Sequence, residues 1–196
     1  MIIGLTGGIA SGKSEVCRTL ERAGFIVIDA DVVAHEVLED PEIIAQAVSM
    51  FGDKILAVKE TGAGPDAINR KALGKIVFAD PEKMKAWEEV THPQVVKRIR
   101  ETVADQNRNY VIEAIALVKS GLIDICDEFW VVHAEPEQQL KRLTENRKLS
   151  YEDALARLES QKDHDWDESR ADRIIYSTEP LESMTQQVND ALKNML

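Results

Sequence analysis

Eight residues near the amino terminus, Gly7-Gly8-Ile9-Ala10-Ser11-Gly12-Lys13-Ser14, constrain this chain more than any other stretch. They fit the pattern G-x-x-x-x-G-K-[ST]. The apolar run Met1–Thr6 before them reads as a buried strand. Lys13–Ala23 after them carries Val16, Leu20 and Ala23 at helical spacing, with Gly24 as its expected C-terminal cap. A glycine-rich turn between a buried strand and a helix curls so that its N–H groups point inward, and the helix adds its positive end. That arrangement cradles phosphate. The plain alternative, a glycine-rich turn with no nucleotide, does not call for a lysine and a hydroxyl at these positions. Gly8, Ile9, Ala10, Ser11, Gly12, Lys13, Ser14 and Glu15 are therefore candidate ATP-binding residues. Lys13 is expected to reach the β- and γ-phosphates, and the Ser14 hydroxyl to be a ligand of Mg²⁺. Glu15 stands where many such loops have threonine. Its carboxylate cannot donate to the α-phosphate, and it is expected to face solvent in the first helical turn.

The remaining pattern suits an α/β fold with an open five-stranded parallel sheet, helices on both faces, an inserted helical lobe and a lid. Further strands are expected at Phe25–Ile28, Tyr110–Ile115, Glu128–His133 and Arg173–Tyr176. Residues 1–31, 108–140 and 169–196 form the expected nucleotide-binding core. Residues 32–107 form the insert and 141–168 the lid. The insert reads as helical without sheet strands. Asp40-Pro41 and Asp80-Pro81 each place a cap before a proline at the first helical position, and Glu60–Pro65 is a loop. A helix is expected over Pro136–Glu145, ended by a left-handed Asn146. A second runs from a Ser150–Asp153 capping pattern to about Lys162, and an amphipathic helix starts at Pro180.

A formal net charge of −11 opposes binding to a nucleic-acid backbone, while a local pocket can still take an anionic substrate. Cys17 and Cys126 form no metal or disulfide pattern. The N-terminal apolar run is too short for a signal peptide or a membrane span, so a cytoplasmic protein with no membrane partner is expected.

Two carboxylates, Asp29 and Asp31, follow the second strand, at the edge where parallel α/β sheets build their sites. Either is placed to hold a metal-bound water or to accept the proton of an attacking hydroxyl. For Asp31 the alternative is a cap on a helix starting at Val32. Arg142, Arg147 and Arg157 lie between the fourth and fifth strands, where a transferring phosphoryl group needs positive charge. Arg157 and Gln161 are expected to share a helical face, and a break near Asn146 would align Arg142 with Arg147. His92-Pro93 is expected at a helix start after Thr91.

The order GGIASGKS, DADVVAHEVL, NRKALGKIVFADPE, THPQV, SGL, QLKRLTENRKLSYEDALARLESQ and ADRIIYS resembles the dephospho-coenzyme A kinase family over nearly the whole chain. The resemblance implies ATP with Mg²⁺ as donor and the ribose 3′-hydroxyl of dephospho-CoA as acceptor. It implies Lys13, Asp31 and Arg142 as catalytic residues, with Arg147 on ATP. Thr6, Asp29, Arg70, His92, Arg157 and Gln161 are the candidates on the acceptor side, and Arg98 joins Arg70 as a candidate for the acceptor's phosphates or for plain surface. The chain departs from the family pattern at Glu15, at Ile115 and Lys119 in place of the proline and acid of a P-L-L-x-E motif, and at Ser177 in place of an asparagine near adenine. A P-loop kinase for another small acceptor, such as a nucleoside monophosphate, is the alternative. A GTPase-like switch lacks support because no N-K-x-D motif is present. An inactive ATP-binding protein is opposed by Lys13, Ser14, Asp31 and Arg142 standing together.

Overall fold

The computed structural model describes residues 1–57, 67–161, 168–178 and 181–195. The loop expected at Glu60–Pro65, the helical reach to Lys162 and the start at Pro180 lie outside them. In chain order the elements are β1 (Ile2–Gly7), α1 (Lys13–Arg22), β2 (Phe25–Asp29), α2 (Ala30–Val37), α3 (Pro41–Phe51), β3 (Leu56–Ala57), β4 (Ala67–Ile68), α4 (Arg70–Val77) and α5 (Pro81–Thr102). Then come β5 (Asn109–Glu113), β6 (Glu128–His133), α6 (Pro136–Glu145), α7 (Tyr151–Glu159), β7 (Arg173–Tyr176) and α8 (Leu181–Lys193). The chain forms two compact units, one of residues 1–29 with 102–196 and one of residues 30–101.

The first unit holds a parallel sheet of order β2-β5-β1-β6-β7. β1 is central, and Ile3–Gly7 are all buried, as a parallel strand covered on both faces requires. On one face Ile3 and Leu5 join Trp130, Val132 and Ile175 under Val16 and Leu20 of α1 and Met184, Val188 and Ala191 of α8. On the other face Leu117 and Cys126 close over Gly4, where an added Cβ would lie only 2.7 and 2.8 Å from them. The chain leaves β1 toward β2 and crosses back over it from β5 to β6. The carboxyl end of β1 is therefore the point where a crevice opens.

The second unit is mostly helical. Asp40 caps α3 by accepting from the Glu42 N–H at 3.0 Å, and Asp80 accepts from Glu82 and Lys83 ahead of α5. Its apolar interior includes Ile43, Ala47, Ile55, Leu73 and Trp87, with Phe51 edge-on to Trp87 at 5.8 Å. Two expectations are corrected here. Leu56–Ala57 pairs antiparallel with Ala67–Ile68, so the unit does contain a short two-stranded sheet. Two-residue strands carry too little alternation to show in a sequence. His92 and Pro93 do not start a helix but lie inside the 22-residue α5. Pro93 only withholds one N–H from the helix ladder, and packing of Trp87, Val95 and Ile99 on both sides carries the helix through.

Trp130 tests the sheet core. It is fully buried, its Nε1 donates to Glu128 at 2.6 Å, and Arg173 lies 5.9 Å over its ring while also pairing with Glu128. Trp130→Ala is expected to destabilise the chain by about 3–5 kcal/mol, the cost of a large core cavity, measured as a shift in the urea unfolding midpoint.

Candidate active site

The phosphate loop occupies residues 8–12 between β1 and α1, and its backbone conformation is unusual. Ala10 has φ 56° and Gly12 φ 109°. Only glycine suits position 12, because an added Cβ would lie 2.8 Å from Met184 Cε and 3.0 Å from Ser177 Oγ. The loop edges a cavity of about 450 Å³, walled by Ile9–Glu15 together with Glu113, Ile115, Arg142, Arg147 and Gln161. Lys13 Nζ reaches back to the Gly7 carbonyl at 2.8 Å and the Gly8 carbonyl at 3.4 Å. Ser11 Oγ is buried and has no hydrogen-bond partner among the described residues. A buried hydroxyl left unpaired in a glycine-rich turn is a group for which an anionic ligand would supply the missing acceptor.

The segment after β6 brings its polar residues to the loop. Arg142 NH1 donates to the Ala10 and Ser11 carbonyls at 3.0 and 3.2 Å and to Ser177 Oγ at 2.8 Å. Gln139 Nε2 donates to the Ile9 carbonyl at 2.9 Å, and Gln161 Oε1 accepts the Ile9 N–H at 2.6 Å. Gln161 thus lies against the phosphate loop. It also lies beyond α7, which ends at Glu159, so it does not continue a helical face with Arg157. Arg157 is exposed and is not among the cavity residues. The turn after α6 also differs from expectation. Asn146 stays in the right-handed region and Lys148, with φ 57°, is the left-handed residue. Arg147 N–H bonds the Arg142 carbonyl at 3.3 Å and Leu149 N–H the Leu143 carbonyl at 3.2 Å, which moves the bend two residues on. Both Arg142 and Arg147 still wall the cavity.

The other candidates are spread out. Thr6 is buried and donates to the Ile115 carbonyl at 3.3 Å. Asp29, exposed at the carboxyl end of β2, is in register with Glu113 at the end of β5. Asp31 is the second residue of α2, so it is not an N-cap: the helix has begun at Ala30. Arg70 is exposed at the start of α4 and His92 is half-buried within α5. Glu15 does not face solvent, since its side chain is only 15% exposed and pairs with Arg18 at 3.2 Å. It lines the wall of the cavity instead.

Three cavity or loop residues are not singled out by the sequence reading: Glu113, Arg18 and Gln139. The signal for Glu113 is an acid closing the third strand, level with the carboxyl end of β1. Its Oε2 accepts from Cys17 Sγ at 3.3 Å. Burial first, then the Glu113 charge, push the Cys17 thiol well up, so it stays protonated and donates. Burial likewise pushes Cys126 up to about 12.

A parallel sheet of this order, with a glycine-rich G-x-x-x-x-G-K-S loop at its central strand and an arginine bound to that loop, is the fold of P-loop kinases. The family model for dephospho-CoA kinase matches residues 1–182. A dephospho-CoA kinase of Carboxydothermus hydrogenoformans is 38% identical over 192 residues, covering 95% of this chain and 90% of its own. A crystal structure from Thermus thermophilus superposes with a TM-score of 0.82 at 29% identity, covering 100% of this chain and 97% of that one. Dephospho-CoA kinase from Campylobacter jejuni superposes with a TM-score of 0.62, also at 29% identity, covering 99% and 96%. The chain belongs to the dephospho-CoA kinase family.

One titration beside the site is testable. His133 ends β6, with Nδ1 2.7 Å from Glu168 and Nε2 3.4 Å from Glu135. The Glu168 hydrogen bond raises its pKa above the ordinary 6.5, against a smaller opposing effect of burial. A raised folded pKa contributes stability in full below about pH 6.5 and loses it as pH rises through the folded value. The stability difference between the native chain and His133→Gln, read from urea midpoints, is therefore expected to shrink from pH 6 to pH 8.5.

Proposed function

We propose that this chain transfers the γ-phosphoryl group of ATP to the 3′-hydroxyl of dephospho-CoA, the last step of coenzyme A biosynthesis, and that it does so in the cytoplasm. One observation carries the reading. Lys13, Arg142 and a phosphate loop with an unpaired buried hydroxyl wall one cavity in a chain of the dephospho-CoA kinase family. Both cysteines are free thiols, which suits a reducing compartment.

The loop N–H groups and the start of α1 would receive the phosphates. Lys13, now on the Gly7 and Gly8 carbonyls, would turn to the β- and γ-oxygens. Arg142 and Arg147 would meet charge developing on the transferred group. Gln161 would release the Ile9 N–H as phosphate enters. The donors present fit Mg²⁺: the Ser14 hydroxyl and the Glu113 carboxylate, both hard oxygens, wall the same cavity. Among the described residues no group of three or more His, Cys, Asp or Glu side chains is placed to hold a metal alone. Mg²⁺ keeps several waters and takes phosphate oxygens, so two protein oxygens would be enough to hold it. When bound it would neutralise charge on the β- and γ-oxygens. Asp31 would orient the acceptor hydroxyl and take its proton, the second unit would hold the acceptor, and residues 141–168 would act as a lid.

Lys13→Ala is expected to lower turnover by about 10²-fold or more with an unchanged circular dichroism spectrum, since the lysine faces the cavity and not the core. Asp31→Asn is expected to lower turnover far more than ATP affinity, with both measured on the same variant. Survival of turnover would remove Asp31 from the chemistry. The acceptor is tested with a coupled assay of ADP release. At saturating ATP and Mg²⁺, the specificity constant for dephospho-CoA is expected to exceed that for AMP, because remote contacts along the pantetheine arm help orient the ribose. Equal or higher values with AMP would favour a nucleoside monophosphate kinase.

A further inference from the structure

The phosphate cavity contains a carboxylate that ought to weaken it. Glu15 directly follows Ser14, walls the cavity, and keeps its side chain only 15% exposed. A polyphosphate entering there meets a like charge, and two like charges a few ångströms apart repel strongly wherever water is scarce. The amino end of α1 cannot resolve this, because the same partial positive charge is what the phosphates themselves use. Glu15 and the ligand would compete for it.

Arg18 sits one turn further along α1 and walls the same cavity. Its NH2 lies 3.2 Å from Glu15 Oε2, and its Nε donates to the Ser14 carbonyl at 3.1 Å. Two attachments from one planar guanidinium fix where the charge is held, and a guanidinium stays charged at every working pH. Arg18 is itself 59% exposed, and an exposed pair three residues apart on one helix adds little to folding. Its effect therefore belongs to the potential of the cavity.

We propose that Arg18 sets the nucleotide affinity of this chain by holding and neutralising Glu15, so that the cavity accepts a polyphosphate despite the acid in its wall. Arg18 is a positioning residue in this role. It acts on the ligand through Glu15. The proposal rests on reading the cavity as the ATP site.

The test is a double-mutant cycle on the full chain, with dissociation constants for ATP and ADP in the presence of Mg²⁺ measured by calorimetry. Arg18→Gln keeps a polar side chain but is shorter, has fewer donors and removes the charge. It is expected to weaken binding about tenfold, as coupled neighbours do, while Arg18→Lys, which keeps the charge but not both attachments, is expected to lose less than Arg18→Gln. In a Glu15→Thr background, Arg18→Gln is expected to cost no more than about twofold, because the anion it answered is gone. Urea midpoints for Arg18→Gln and the native chain should agree, which excludes a loss through folding. Equal losses in the native and Glu15→Thr backgrounds would overturn the proposal, since Arg18 would then act without Glu15. Native affinity in Arg18→Gln would overturn it as well. A native chain that binds neither ATP nor ADP would remove the ATP reading, and this proposal with it.

Discussion

The structure depends on one constraint: a turn rich in backbone N–H groups must leave a fully buried strand and enter a helix while its polar groups find partners. β1 is held by pairing on both sides, and Ile3–Gly7 are buried. The loop is therefore presented from a rigid base. Several of its polar groups are met by side chains, most of them from distant parts of the chain. Lys13 returns to loop carbonyls, while Gln139 and Gln161 take both polar groups of Ile9, and Arg142 takes the carbonyls of Ala10 and Ser11. Ser11 Oγ is left over. These contacts describe a site whose internal bonds can be exchanged for bonds to phosphate.

The local charges show how an acidic chain accommodates an anion site. The net charge is −11, yet the cavity wall carries Lys13, Arg18, Arg142 and Arg147 against Glu15 and Glu113. The two acids are handled differently. Glu15 is paired with an arginine, whereas Glu113 accepts from the thiol of Cys17. Glu113 and Ser14 wall the same cavity, while the Glu15 charge is answered by its arginine.

Much of this is legible along the chain. The strands at Glu128–His133 and Arg173–Tyr176 and the helix Pro136–Glu145 stand where periodicity and proline place them, because each is a continuous local signal. The departures have a common source. Local preference points to a left-handed Asn146, yet Lys148 takes that turn. It allows Asp31 as a cap, yet the helix has already begun, and it puts a helix start at Pro93, which lies inside α5. At Pro93 the local cost is outweighed by the packing of Trp87, Val95 and Ile99 on both sides of it.

The sequence by itself determined the phosphate loop, the parallel sheet and the family, since these rest on residues close together in the chain or on runs of regular spacing. Only the tertiary structure decided which distant side chains meet the loop. Gln139 and Gln161 lie 130 and 152 residues from Ile9, and Glu113 lies 96 residues from Cys17. No pattern within either segment encodes such a meeting. It arises because parallel strands deliver their carboxyl ends to one edge of the sheet, so residues far apart in sequence arrive at the same place through the order β2-β5-β1-β6-β7.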